Sequence, residues 1–248
     1  MDKTVSLVIT SCDRFDLLKQ TLDSFFKFNT YKLSQIIIIE DSLKQKELEK
    51  IINNYKSYSF TIISNKEKLG QLKSIDKAYS LVTSKYIFHC EDDWNFLDYG
   101  FIEKSIDILE KDKNILSVWL RNIDELTTIE FSDEVYSTSS NEKYKLVYSD
   151  ILSFNPSLRR LSEYKLIKNF AQHENKMFER TISDFYKNSG FLSAIFLKPY
   201  VEHIGWHRRV LNADKKRSSI IYRLDNIIKK IKASIYKKFS LGKFSKKT

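Results

Sequence analysis

With 248 residues the chain is long enough to bury one sizeable core, and 42% hydrophobic and 30% charged residues with only five glycines and two prolines exclude collagen-like and low-complexity classes. Its two cysteines, Cys12 and Cys90, exclude a disulfide framework, and neither lies in a CxxC pair, so both are read as reduced thiols. The net charge of +10 is unevenly placed: residues 208–248 hold 14 Lys+Arg against 2 Asp+Glu, whereas residues 1–207 carry 28 against 30, so the basic excess belongs to the tail.

The N-terminal "MDKTVSLVIT" has no basic region followed by a long apolar one, so no signal peptide is expected. No apolar run approaches the roughly 18 residues of a membrane span. A reducing cytoplasmic setting follows. Residues 4–10, "TVSLVIT", form a continuous β-branched run, which suits a strand buried on both faces of a parallel sheet. In the next segment Leu17, Leu18, Leu22, Phe25 and Phe26 recur at helical spacing, with Asp13 placed to cap the start. "QIIII" (35–39) reads as a second buried strand, followed by a charged helix over about 44–55. "FTIIS" (60–64) is a third strand, "SIDKAYSLV" (74–82) a short helix and "KYIFHC" (85–90) a fourth strand.

This alternation predicts an α/β fold with a doubly wound sheet flanked by helices. Ligands of such sheets bind outside the carboxyl ends of the strands. Polar groups stand at those ends here: Thr10, Ser11 and Asp13; Glu40 and Asp41; Asn65; then Glu91, Asp92 and Asp93. Three adjacent carboxylates repel one another. They suit a hard divalent cation, an acid/base pair or a solvated loop.

After Trp94 the pattern loosens. A helix is expected over 101–111 and a strand over 115–120. Residues 121–160 read as polar and irregular, 161–188 as helical, and 191–197 as a strand. In the tail, Ile220, Leu224, Ile227, Ile228, Ile231 and Ile235 fall on one helical face, with lysines around the rest. Residues 218–239 are thus expected to form a basic amphipathic helix that lies in a membrane interface, with packing on the body or on a second subunit as the alternative.

"SLVITSCDRFDLLKQTLDSF", "IIIIEDS", "NKEKLG" and "YIFHCEDDW", in this order and spacing, resemble the nucleotide-sugar-binding half of glycosyltransferase family 2 over about residues 4–120. The resemblance implies a GT-A fold, with residues 1–207 catalytic (1–120 for the donor, 121–207 for the acceptor) and 208–248 as the tail. It implies that Asp93 holds Mn²⁺ or Mg²⁺ against the donor diphosphate, and that Asp92 contacts ribose or donor sugar. Glu91 takes the first position of the acidic metal motif, where Asp is more usual. Thr10, with Ser11 beside it, lines the base pocket, and Asp41 bonds the base, although a cap on the next helix is an alternative for Asp41. Lys73 offsets diphosphate charge. Glu174 is the implied base, with Glu179 second and Asp184 a further acid of that segment. His203, in "HIG", matches a histidine of the family that completes the metal shell or touches the diphosphate: a neutral imidazole can ligate Mn²⁺ and a cationic one can pair with phosphate. His207 and Arg208 are weaker candidates for phosphate contact. Trp94 and Trp206 are read as packing, one of them stacking on a sugar.

The implied activity is metal-dependent, inverting transfer of a sugar from a nucleotide-diphosphate sugar to a saccharide or lipid-linked acceptor, in bacterial-type surface glycan synthesis. The partners expected are the donor, the acceptor and a peripheral membrane contact on the cytoplasmic face, with no nucleic acid. A retaining enzyme and a non-catalytic nucleotide- or glycan-binding module are the alternatives.

Overall fold

The computed structural model describes residues 3–175, 177–206 and 208. The chain divides into one unit over Met1–Arg209 and a second over Val210–Thr248. The tail helix read at 218–239 lies outside the described residues, as does His207.

The first half alternates as its periodicity predicts: β1 (Val5–Ser11), α1 (Phe15–Phe28), β2 (Gln35–Glu40), α2 (Gln45–Ile52), β3 (Thr61–Ser64), α3 (Gln71–Tyr79) and β4 (Tyr86–Glu91). These four strands are parallel, in the order β3-β2-β1-β4. The short ribbon strand β5 (Trp94–Phe96), then α4 (Phe101–Lys111) and β6 (Ile115–Trp119), follow.

Both faces of the sheet are covered, which is why β1 and β2 are dominated by apolar residues on both faces. Val5, Leu7 and Ile9 of β1 and Ile36 and Ile38 of β2 pack with Leu18, Leu22 and Phe25 of α1 and with Phe101 and Ile102 of α4. The alternate residues Val8, Ile37 and Ile39 face the other way, against Leu72, Ile75 and Tyr79 of α3.

The second half departs from its reading. Residues 121–160 are not irregular throughout but hold β7 (Tyr136–Ser137), β8 (Lys143–Val147) and β9 (Ser157–Arg160). β9 lies in mid-sheet, antiparallel to both β4 and β6, and all four of its residues are buried. Two of them are arginines, and this hid the strand. The expected helix over 161–188 is three pieces: α5 (Leu161–Ile167), a 3₁₀ turn at Ala171–His173 and α6 (Phe178–Asn188). The break comes at Lys168, whose φ is +68°.

β10 (Leu192–Phe196) joins β6 in parallel, and β8 and β7 complete the mixed nine-stranded sheet. β11 (Val201–His203) pairs antiparallel with β5 and sets His203 opposite Trp94. Among the described residues no helix is long and apolar enough to cross a membrane.

Candidate functional site

The strand-end acids meet where the reading placed them, and their hydrogen bonds sort them into roles. Glu40 is buried and fastens the β1–α1 turn: its Oε1 accepts from the Asp13 amide at 2.8 Å and its Oε2 from the Ser42 amide at 2.9 Å. Asp13 therefore does not cap α1. It sits at a φ of +57°, and its carboxylate takes Lys44 Nζ at 2.5 Å. Arg14 holds the N-cap position, and no side chain caps the helix.

Asp41 is buried and holds the loop before α3. Its Oδ1 accepts from Asn65 Nδ2 at 2.9 Å and the Leu69 amide at 2.8 Å, and its Oδ2 from the Gly70 amide at 2.7 Å. Gly70, at a φ of +84°, is the N-cap of α3. Asp41 therefore does not cap the next helix: Lys44 is the N-cap of α2 and no side chain caps it. The carboxylate ties down the 65–70 loop instead, and any nucleotide contact would have to share it.

Asp92 is fully buried. Its Oδ2 accepts from Ser11 Oγ at 2.9 Å and the Cys12 amide at 3.1 Å, and its Oδ1 from Arg14. Ser11 therefore serves Asp92. Thr10, beside it, stays partly exposed at the strand end.

Asp93 differs. Its Oδ2 takes Arg14 Nη1 at 2.5 Å and lies 3.0 Å from His203 Nε2, whereas its Oδ1 is buried with no partner. A buried carboxylate oxygen without a donor is rare and asks for an explanation. The β5–β11 ribbon brings this about. The Ile204 amide donates to the Asp93 carbonyl at 2.9 Å, and Gly205 packs so closely that a Cβ there would stand 2.1 Å from Asp93 Oδ2. His203 meets the tilted ring of Trp94 and, edge to face, the ring of Trp206, each with ring centroids 4.8 Å away. Trp94 is buried and Trp206 is 54% exposed.

An orphaned carboxylate oxygen beside an imidazole fits a hard or borderline divalent cation such as Mg²⁺ or Mn²⁺. Among the described residues no three His, Cys, Asp or Glu side chains converge on one point. Asp93 and His203 would supply two protein ligands and leave positions for phosphate oxygens and water.

The electrostatics agree. Burial alone would raise the Asp93 pKa, but the His203 hydrogen bond and Arg14 hold it below the ordinary carboxylate value. Lost hydration pushes Asp92 up to about 6 although Arg14 opposes it, and Asp93 adds repulsion. Glu91 retains some exposure and accepts from Gln71 Nε2 at 3.2 Å. Lost hydration around its carboxyl, then repulsion from Asp93, Glu179 and Asp92, pushes it up to about 8.

A group whose folded pKa exceeds its unfolded value binds protons preferentially in the folded state, so stability falls as pH rises through that window. For Glu91 the window runs from its ordinary 4.5 to about 8. The metal-free protein is expected to melt lower at about pH 8 than at about pH 6, and Glu91→Gln to lose that part of the slope. Equal slopes in melting curves of the two proteins would contradict this.

The remaining candidates lie around this centre. Lys73 is on the exposed side of α3, and the cation that reaches Asp92 and Asp93 is Arg14. Glu174 is exposed, with Oε1 4.0 Å from where a Cβ on Gly70 would lie. Its segment is docked on α3 by Asp76, whose Oδ1 accepts from Tyr164 Oη at 2.9 Å and the Phe170 amide at 2.8 Å, and whose Oδ2 accepts from the Ala171 amide at 2.8 Å. Glu179 is exposed in the first turn of α6, where its Oε1 accepts from the Phe154 amide at 3.4 Å, and its charge acts on Glu91. Asp184 is exposed further along α6. Arg208 pairs with Asp16 rather than with these acids.

A groove of about 610 Å³ lies elsewhere, near the β7–β8 edge of the sheet, between Glu130, Asp133, Glu134, Tyr136 and Tyr148. The clustered acids and the orphaned oxygen at the β1 and β4 ends make that cluster, rather than this groove, the candidate site.

The family model described as glycosyl transferase family 2 matches residues 6–186. The chain belongs to glycosyltransferase family 2. No curated protein sequence matches it. Among solved structures, this family 2 chain is similar to a mannosyltransferase from Pyrobaculum calidifontis in complex with GDP-Man and Mn²⁺, with a TM-score of 0.60, 10% identity and coverage of 88% of this chain and 59% of that one. It is also similar to GalNAc-T7 with UDP, GalNAc and Mn²⁺, with a TM-score of 0.61, 14% identity and coverage of 84% and 45%. At such identities the likeness is one of fold, and it confirms the expected GT-A architecture. The chain spans about half the length of these two proteins.

Proposed function

We propose that this family 2 chain is a metal-dependent, inverting glycosyltransferase that moves one sugar from a nucleotide-diphosphate sugar to a saccharide or lipid-linked acceptor. The observation that carries the reading is the buried, unpartnered Oδ1 of Asp93 beside His203, at the carboxyl ends of parallel strands. Mn²⁺ with a nucleotide or nucleotide-sugar in both fold relatives supports it. A bound Mn²⁺ or Mg²⁺ supplies Lewis-acid charge against the departing diphosphate. Asp93 and His203 hold that cation, while Asp92 and the strand ends at Thr10 and Asp41 position the nucleoside and donor sugar.

Inversion needs a carboxylate that takes the acceptor hydroxyl's proton as the new glycosidic bond forms. Glu179 serves best: it opens α6, as a base near a helix start would, and its charge reaches Glu91. Glu174, which the sequence pattern favours, lies instead beside the α3 cap. Glu179→Gln is expected to lower kcat by about 10²–10⁴-fold with donor binding unchanged. Glu174→Gln is expected to stay within a few-fold of wild type. The reverse ranking would assign the base to Glu174, and a product that keeps the donor's anomeric configuration would replace inversion with retention.

The basic, isoleucine-striped sequence of 218–239 supports peripheral contact with an anionic membrane surface and a lipid-linked acceptor in surface glycan synthesis. Unchanged liposome binding after removal of residues 215–248 would contradict that part.

A further inference from the structure

Arg14 stands where the sequence points to no functional residue, and it spans the acid pair. Nη1 donates to Asp93 Oδ2 at 2.5 Å and Nη2 to Asp92 Oδ1. The arginine side chain is 16% exposed, against 0% and 5% for the two acids. Two polar atoms in this arrangement stay unsatisfied although buried: Arg14 Nε and Asp93 Oδ1. Buried, partly satisfied networks are costly, because each leftover group forfeits its hydration. An arrangement with a spare donor and a spare acceptor is poised to exchange partners.

We propose that Arg14 is an internal counterion that occupies the metal-binding carboxylates in the free protein and is displaced when a divalent cation and a nucleoside diphosphate bind together. The proposal rests on the reading of Asp93 as a metal ligand. A cation that arrives alone must remove a guanidinium from Asp93 and then leave that positive group unpaired next to itself. A diphosphate relieves this, because its oxygens match the guanidinium fork. Cation and diphosphate should therefore bind with strong mutual coupling, and by linkage each strengthens the other by the same factor. The conformational cost of freeing the carboxylates falls on whichever ligand arrives without its companion.

The test is Mn²⁺ binding to the 248-residue chain, followed by the electron paramagnetic resonance of free Mn²⁺, with and without saturating UDP or GDP. Wild type is expected to gain about 100-fold in Mn²⁺ affinity when the right nucleotide is present. Arg14→Met is expected to bind Mn²⁺ alone about tenfold tighter than wild type and to keep a gain of about tenfold or less. If the methionine variant binds Mn²⁺ alone no tighter, or keeps the full gain, the proposal is overturned. Arg14→Lys guards against a folding defect: one ammonium cannot bridge both acids, so Mn²⁺ alone should bind about threefold tighter, and an unchanged affinity again overturns the proposal. Failure of the underlying site reading looks different, because then neither wild type nor variant binds Mn²⁺ with either nucleotide.

Discussion

Asp93→Asn is expected to lower sugar transfer by about 10³-fold with the fold retained, because it removes the carboxylate that holds the cation against the departing diphosphate. Gly205→Ala should reproduce about 10²-fold of that loss without altering any charge. The added methyl would stand 2.1 Å from Asp93 Oδ2, 2.6 Å from its Cβ and 2.7 Å from its Cγ. Contact with Cβ means that rotating the carboxylate gives no relief. The Ile204 amide bond to the Asp93 carbonyl holds the two segments together, so Asp93 itself must shift, and a displacement of about 1 Å costs about 10²-fold in a positioned site. Steady-state kinetics on both variants checks this. Full activity in Gly205→Ala would show that the 203–205 segment does not fix the geometry of Asp93.

Arg160→Met is expected to destabilise the protein by about 3–5 kcal/mol, a large share of the roughly 5–15 kcal/mol that holds such a domain together. Arg160 is 5% exposed at the end of β9. Its Nη1 donates to Glu163 Oε1 and the Ile115 carbonyl, both at 3.0 Å, and its Nη2 to the Asp112 carbonyl at 3.0 Å and to Leu109. One guanidinium thus closes the carboxyl end of α4, the start of β6 and the first turn of α5, and its charge complements the α4 dipole. Its loss orphans several carbonyls and leaves Glu163, itself 7% exposed, without its cation. A fall in melting temperature on the order of 10 °C is expected. Adding Glu163→Leu should recover part of it, because the stranded charge goes too. A methionine variant as stable as wild type would contradict this account of β9.

β9 also shows where the sequence stops being readable. β1 and β2 declare themselves, because a strand covered on both faces needs apolar residues on both, and "LVI" and "IIII" supply them. "SLRR" does not, because half of it is arginine and the carbonyls that receive Arg160 lie about α4 and β6, where no local period encodes them. The site divides in the same way. The acids are visible at strand ends, and alternation alone predicts which sheet edge they share. Their division of labour is not visible. Glu40, Asp41 and Asp92 take donors from loops, and among these four acids Asp93 alone keeps a buried oxygen without a partner; this depends on where amides of residues 12, 13, 42, 69 and 70 point. Arg14 escapes notice because Asp13, at a φ of +57°, turns the chain just before it. Gly205 escapes because a glycine in a loop carries no sign of what lies against it. The cue for Arg14 in the sequence is an arginine three residues past the end of β1, at the sheet end where the acids gather.

The most direct test of the central claim is a calorimetric titration of the purified protein with UDP and with GDP, each with and without Mn²⁺, repeated on Asp93→Ala. Binding of one nucleotide that requires Mn²⁺ and disappears in the variant is the predicted result. Binding that ignores both the metal and the substitution would contradict the assignment of Asp93 as the residue that holds the cation against the diphosphate.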